Sequence, residues 1–281
     1  MYKEMFNTQS FQEYLEAQKL SPSTIKAHLN NISKIINFID NNDIDNSLIN
    51  QDYLLDILKD KDITLSQKLT ISTTISKYLQ YEKKPNEMVV KYIGELNNTN
   101  KKNYKERNKN QKYKYTKKDI LKETNEFYKK GNRRAYIVSY LVYTFSTRNT
   151  DLDVSLTTHQ KHCPNKNENY LILRKTSVLY IRNDYKTKET YGQLKNEIKN
   201  KKFVESVRYL LRDTDLKCIK LFDNFKNTTK ILKRYLPFEL KSSDIVKIIL
   251  NEKNSLNDAS KISKNRGSAL STLQSNYNLK V

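Results

Sequence analysis

Four glycines and four prolines in 281 residues leave this chain few places to reverse direction sharply, and that scarcity constrains its fold more than any other feature. Glycine supplies positive φ and proline presets φ for tight turns, so a chain this poor in both favours long helices. The apolar residues fall into matching patterns. Ser21-Pro22-Ser23 places an N-cap candidate before a proline at the first helical position, and Ile25, Leu29, Ile32, Ile36 and Ile39 follow at spacings of four and three. A helix around Phe11, Tyr14 and Leu15 is expected before it, with two more over 53–58 and 65–81 after it. Together they predict a small helical bundle over residues 1–96.

Hydrophobic residues make up only 37% of the chain, yet 20 Tyr and 9 Phe are enough to build cores. Lys and Arg outnumber Asp and Glu by 52 to 31, a net charge of +21, which points first to a polyanion such as nucleic acid. AT-rich coding is the blander alternative, because 42 of the 52 basic residues are Lys. No run approaches the ~18–20 apolar residues of a membrane span, and residues 1–10 lack the apolar core of a signal peptide. An intracellular protein with no membrane partner is expected. Two cysteines, Cys163 and Cys218, cannot form a disulfide framework, so a reducing compartment is the simpler expectation.

Between Asn97 and Lys118 the apolar residues nearly vanish, while Lys101, Lys102, Lys105, Arg107 and five further cations face only Glu106. This run reads as an exposed basic linker over 97–115, either a solvated spacer or a strip that lies against phosphates. A second domain, 116–281, then opens on Thr116-Lys-Lys-Asp as a helix start, followed by a buried helix over 135–145. Tyr170-Leu-Ile-Leu and Ser177-Val-Leu-Tyr-Ile read as a strand pair, and helical spacing returns after Lys195. The expected class is mainly α with a small antiparallel β-sheet.

Most catalytic chemistries find no support. His159-x-x-His162-Cys163 gathers three metal-ligating side chains, but no fourth ligand stands near it in the sequence, so no metal site is expected. With His28 the only other histidine, Ser-His-Asp and Cys-His catalysis are unsupported. No glycine-rich phosphate loop occurs.

Four separated segments remain. Arg148 follows the buried helix and precedes Asp151-Leu152. Lys186 and Lys188 stand in a hairpin over 184–192. Asp244 and Lys247 lie in a helix start at 241–250. Arg266-Gly267-Ser268 is followed by Tyr277, ten residues after the glycine. In this order and spacing the chain resembles the tyrosine recombinases, the family of phage, viral and chromosomal integrases. The family's first box, Gly-Leu-Arg followed by Glu-Leu, is similar to 146–148 and 151–152, and its hairpin lysine is similar to Lys186 or, as the alternative, Lys188. Its last box is similar to Arg266-Gly267-Ser268 with Tyr277, and the N-terminal bundle resembles the family's core-binding domain.

The resemblance implies an N-terminal DNA-clamping domain and a C-terminal α+β catalytic domain that cut and rejoin double-stranded DNA through a 3′-phosphotyrosyl intermediate. It implies no cofactor, and a monomer in solution that assembles to a tetramer on DNA. Tyr277 is then the nucleophile, Arg148 the phosphate clamp and the hairpin lysine the acid. Lys101, Lys102, Lys105, Arg107 and Lys188 would contact DNA. The chain departs from the family where its His-x-x-Arg box falls on Asp244-x-x-Lys247 and where the last-box His or Trp is Ser268. A non-cutting DNA-binding member, a type IB topoisomerase and an unrelated helical nucleic-acid-binding protein are the alternatives.

Overall fold

The computed structural model describes residues 7–41, 51–58, 63–110, 113–162, 165, 167–212, 217–223, 232–251 and 256–267. It divides into two compact units, Met1–Glu106 and Arg107–Val281. None of the helices among the described residues is long and apolar enough to cross a membrane.

The first unit is built from α1 (Thr8–Ala17), α2 (Pro22–Asn41), α3 (Gln51–Ile57), α4 (Leu65–Tyr81) and α5 (Glu87–Asn110). Proline opens α2 as its sequence predicts. At α4 the Thr64 hydroxyl accepts from the Gln67 N–H and the Gln67 side chain accepts from the Thr64 N–H, which satisfies two donors that the first turn would otherwise leave unpaired. Phe11, Leu15, Ile32, Ile75 and Leu79 form the buried centre, and Tyr14, Tyr78 and Tyr81 pack around Phe11. The linker expected over 97–115 is helical through Asn110, as the end of α5. Lys, Arg and Glu have good helix propensity, so a charged run without apolar residues can still extend a helix already begun at Glu87. Lys101 and Lys102 lie exposed on it.

The second unit starts with α6 (Lys117–Lys129), capped by Thr116 and Asp119 in a reciprocal box, and α7 (Arg133–Phe145), most of which is buried. Five strands follow: β1 (Val154–Thr157), β2 (Asn169–Leu173), β3 (Val178–Arg182), β4 (Leu194–Ile198) and β5 (Cys218–Lys220). Their order is β4-β3-β2-β1-β5. The β2–β3 pair is antiparallel as expected, but β1 runs parallel to β2, so the sheet is mixed and larger than the sequence suggests. Residues 194–198 form β4, and helix resumes only at α9 (Lys201–Arg212), after the short α8 (Lys188–Tyr191) inside the β3–β4 connection. Two further helices, α10 (Ser242–Asn251) and α11 (Leu256–Arg266), close the described structure. The architecture is mainly helical with one small sheet that packs against α9 and carries Val154, Leu156, Leu171, Val178 and Tyr180 in the core.

Cys218 is disulfide-bonded. The sequence pattern did not reveal β5, the three-residue strand that carries Cys218 to the edge of the sheet beside β1.

Candidate functional site

Helix α7 ends at Ser146, which adopts φ +52° and whose N–H donates to the Val142 carbonyl at 2.9 Å. This left-handed residue turns the chain sharply out of the helix and sets Arg148 beside the end of α11. The half-buried Arg148 guanidinium donates from Nη1 to the Arg266 carbonyl at 3.0 Å and from Nη2 to the Gly267 carbonyl at 3.4 Å. Arg266 answers by donating from Nη1 to the Ser146 carbonyl at 2.8 Å. The two arginines thus lace residues 146–148 to 266–267 and satisfy carbonyls at a helix end that would otherwise be orphaned.

The hairpin segment joins the same point. The Thr187 hydroxyl donates to the Gly267 carbonyl, and the buried Tyr185 ring lies against Gly267. Lys186 sits between these two anchors and is itself exposed, whereas Lys188 pairs with Asp184 at 3.7 Å on the first turn of α8. The α10 segment is tied in through the Ser242 hydroxyl, which donates to Asn149 Oδ1 at 2.6 Å. Asp244 lies in the first turn of α10, with Lys247 in the next, both half-buried. Segments around 148, 186, 242 and 267, far apart in sequence, therefore meet. Ser268 and Tyr277 lie outside the described residues, as do the side chains of Lys105 and Arg107.

Beneath this surface stands a charged group that sequence reasoning missed. Arg182 is fully buried, as is Asp151, and their closest approach is 3.7 Å from Nη1 to Oδ2. Arg182 Nη2 also donates to the Asn265 carbonyl and, at 3.3 Å, to Asn196 Oδ1, while its Nε and Nη1 have no hydrogen-bond partner. Asp151 Oδ2 accepts from the Arg148 N–H at 3.3 Å, and Tyr180 Oη donates to the Asp151 carbonyl at 2.8 Å. Burial lifts the Asp151 carboxyl above its ordinary range, and the attraction of Arg148 and then Arg182 opposes that lift. Arg182 thus links strand β3 to the last residues of α11, and Asp151 links it onward to Arg148. A sequence signal existed: Val178, Tyr180 and Arg182 alternate on one strand face, and that face is the core.

Gly267 is required where it stands. Its φ is +58°, and a Cβ there would lie 2.7 Å from the Tyr185 ring and 3.3 Å from both Leu194 and Thr187. Gly267→Ala is expected to destabilise the fold by about 1–3 kcal/mol, the usual cost of a strained left-handed residue, with the steric clash added. Urea unfolding of the two proteins measures this; an unchanged midpoint would mean that 185–187 and 267 do not pack this closely.

No protein-family model matches this chain, and no curated protein matches it. Among solved structures it is similar to a XerA recombinase, at 9% identity over 96% of this chain and 92% of that one, with a TM-score of 0.36. At that distance the functional reading falls to this chain's own residues.

Proposed function

We propose that this chain binds duplex DNA and cuts and rejoins it through Tyr277, as a site-specific recombinase or integrase of the kind carried by viruses and mobile elements. The observation that carries the proposal is the meeting of Arg148, the Lys186 segment, the start of α10 and Gly267 at one place. A transesterification needs no stored nucleotide energy, because the phosphodiester bond is exchanged for a phosphotyrosyl bond. The Tyr277 hydroxyl attacks the phosphorus, the 5′ oxygen leaves, and the link remains on the 3′ phosphate. Charge grows on the non-bridging oxygens, and the planar fork of Arg148 is suited to hold two of them. Lys186 protonates the leaving oxygen, which would otherwise depart as an alkoxide. Its neighbours' grip on Gly267 favours it over Lys188, whose ammonium already has a carboxylate beside it. Lys247 supplies charge without a bidentate fork, and Asp244 orients the start of its helix.

The test is a nicked duplex in which the fragment released by cleavage diffuses away, so that the intermediate accumulates as a covalent protein–DNA species resistant to denaturation. Its appearance on one candidate site and not on scrambled DNA supports cleavage. A second reading, a family member that binds without cutting, is favoured by the bonds from Arg148 to the carbonyls of 266 and 267, which must be exchanged before the fork can take a phosphate. No adduct on any nicked substrate, with salt-dependent binding retained, selects that reading. Assembly is part of the proposal: a monomer in solution that forms a tetramer on two duplexes.

The basic end of α5 neutralises backbone phosphates in this reading. Replacing Lys101, Lys102, Lys105 and Arg107 by Gln is expected to flatten the log–log dependence of DNA affinity on salt by about 0.9 for each phosphate that is no longer neutralised. An unchanged slope, measured by fluorescence anisotropy over a salt series, would make this stretch a solvated helix and nothing more.

A further inference from the structure

The solvent face of α9 carries a second basic surface. Among the charged residues of this helix, Lys201, Lys202, Arg208 and Arg212 face one acid, Glu205, and Tyr209 stands among them with 47% of its surface exposed. The Glu205 carboxylate is already engaged, because it accepts from the Tyr128 hydroxyl near the end of α6. Two aromatic rings and the cations interleave here. The Arg133 guanidinium lies 4.1 Å from the centre of the Tyr128 ring and 5.7 Å from that of Tyr209. The Arg212 guanidinium lies 5.4 Å from the Tyr209 ring centre, and Lys202 Nζ lies 5.6 Å from that of Tyr128. Arg133 also donates from Nη1 to the Tyr128 carbonyl at 3.0 Å, which holds its guanidinium over the ring.

We propose that this face binds single-stranded nucleic acid, with unpaired bases stacking on Tyr209 and the cations around it neutralising the phosphates. Four cations against one engaged carboxylate make the face complementary to a polyanion. The exposed ring narrows the choice of polyanion. A base of any kind stacks on a flat π-face, and a ring already flanked by guanidinium groups loses little freedom when it does so. Guanidinium planes stack on bases as well as pairing with phosphates, which suits Arg133 and Arg212 to either part of a strand. A duplex keeps the faces of its bases inside its own stack, so it offers Tyr209 nothing to stack on.

The face is separate from the place where Arg148 meets Gly267. α7 has 13 residues, and at ~1.5 Å for each its ends lie about 20 Å apart, with Arg133 at the first and Arg148 just past the last. The proposal therefore stands whether or not the chain cuts DNA. Beside Lys202 the surface dips into a cleft of about 300 Å³ between α6, α7 and the start of α9, walled by Tyr136, Tyr140 and Tyr143. The oxygens of both amides in it are taken: Asn125 Oδ1 accepts from Lys202 Nζ at 3.0 Å, and Asn200 Oδ1 accepts from the Phe203 N–H at 3.0 Å and the Tyr136 hydroxyl at 3.2 Å. Little is left there to read the edge of a base, so binding should tolerate any sequence.

The chain has no tryptophan, so Tyr209→Trp installs a single fluorophore at the proposed stacking position. This full-length variant is titrated with a thymidine oligonucleotide of about 12 nucleotides, which cannot pair with itself, and with a duplex of the same length. The single strand is expected to quench the emission and the duplex to leave it nearly unchanged. In fluorescence anisotropy with labelled DNA, Tyr209→Ala should weaken single-strand binding by about five-fold or more and keep duplex binding within about two-fold of the parent. Tyr209 is exposed, so neither variant threatens the fold. Emission left unquenched by the strand, equal quenching by the duplex, or single-strand affinity of Tyr209→Ala within about two-fold of the parent would overturn the proposal. Displacement of the strand by polyglutamate of equal charge would overturn it too, and would give the face to an acidic protein.

Discussion

Tyr277→Phe is expected to abolish the covalent protein–DNA adduct while leaving duplex affinity nearly unchanged. The substitution removes one hydroxyl and keeps the ring, so it deletes the proposed nucleophile and little else. Tyr277 follows Gly267 by ten residues in the sequence, and Gly267 is fixed by Arg148, Thr187 and Tyr185. Lys247→Arg in the same assay separates site membership from decoration. Restoring a planar fork should hold or raise the cleavage rate if Lys247 faces the phosphate, and Lys247→Ala should lower it. An adduct that survives in Tyr277→Phe would assign the chemistry to another of the 20 tyrosines and displace the C-terminal alignment.

Helices with a cap and a regular apolar face could be read from the sequence. Pro22 at the start of α2, the Thr64–Gln67 box of α4 and the Thr116–Asp119 box of α6 are local signals, each sufficient without knowledge of the rest of the chain. The strands β1, β4 and β5 lacked such signals. Val154-Ser-Leu-Thr is four residues long, Cys218-Ile-Lys is three, and Leu194-Lys-Asn-Glu-Ile carries charges that suit an edge strand and a helix equally. Their identity comes from pairing, which is non-local. Arg148, Lys186 and Gly267 could be singled out by order and spacing. Arg182 carried only the weaker signal of alternating with Val178 and Tyr180, since arginine is so rarely buried that a strand-end arginine reads as a surface charge.

That buried arginine yields the second large expectation. Asp151→Ala should destabilise the second unit by about 3–5 kcal/mol, because it strips the counter-charge from a guanidinium that has no access to water and already leaves Nε and Nη1 without hydrogen bonds. It also removes the acceptor of the Arg148 N–H. Removing both charges is different: Asp151→Leu with Arg182→Met substitutes apolar volume for an ion pair of 3.7 Å that is poorly satisfied, and its stability should return to within about 1–2 kcal/mol of the parent. Cleavage should not return with it. Arg182 holds the Asn265 carbonyl and Asp151 holds the Arg148 backbone, so the stable double variant is without both struts that set Arg148 against residues 266–267. Chemical denaturation of the two single variants and the double one, with adduct formation measured on each, separates the roles. If the double variant regains parental cleavage together with parental stability, the buried pair is a packing feature alone; if it regains stability and still fails to cut, Asp151 and Arg182 position the phosphate clamp.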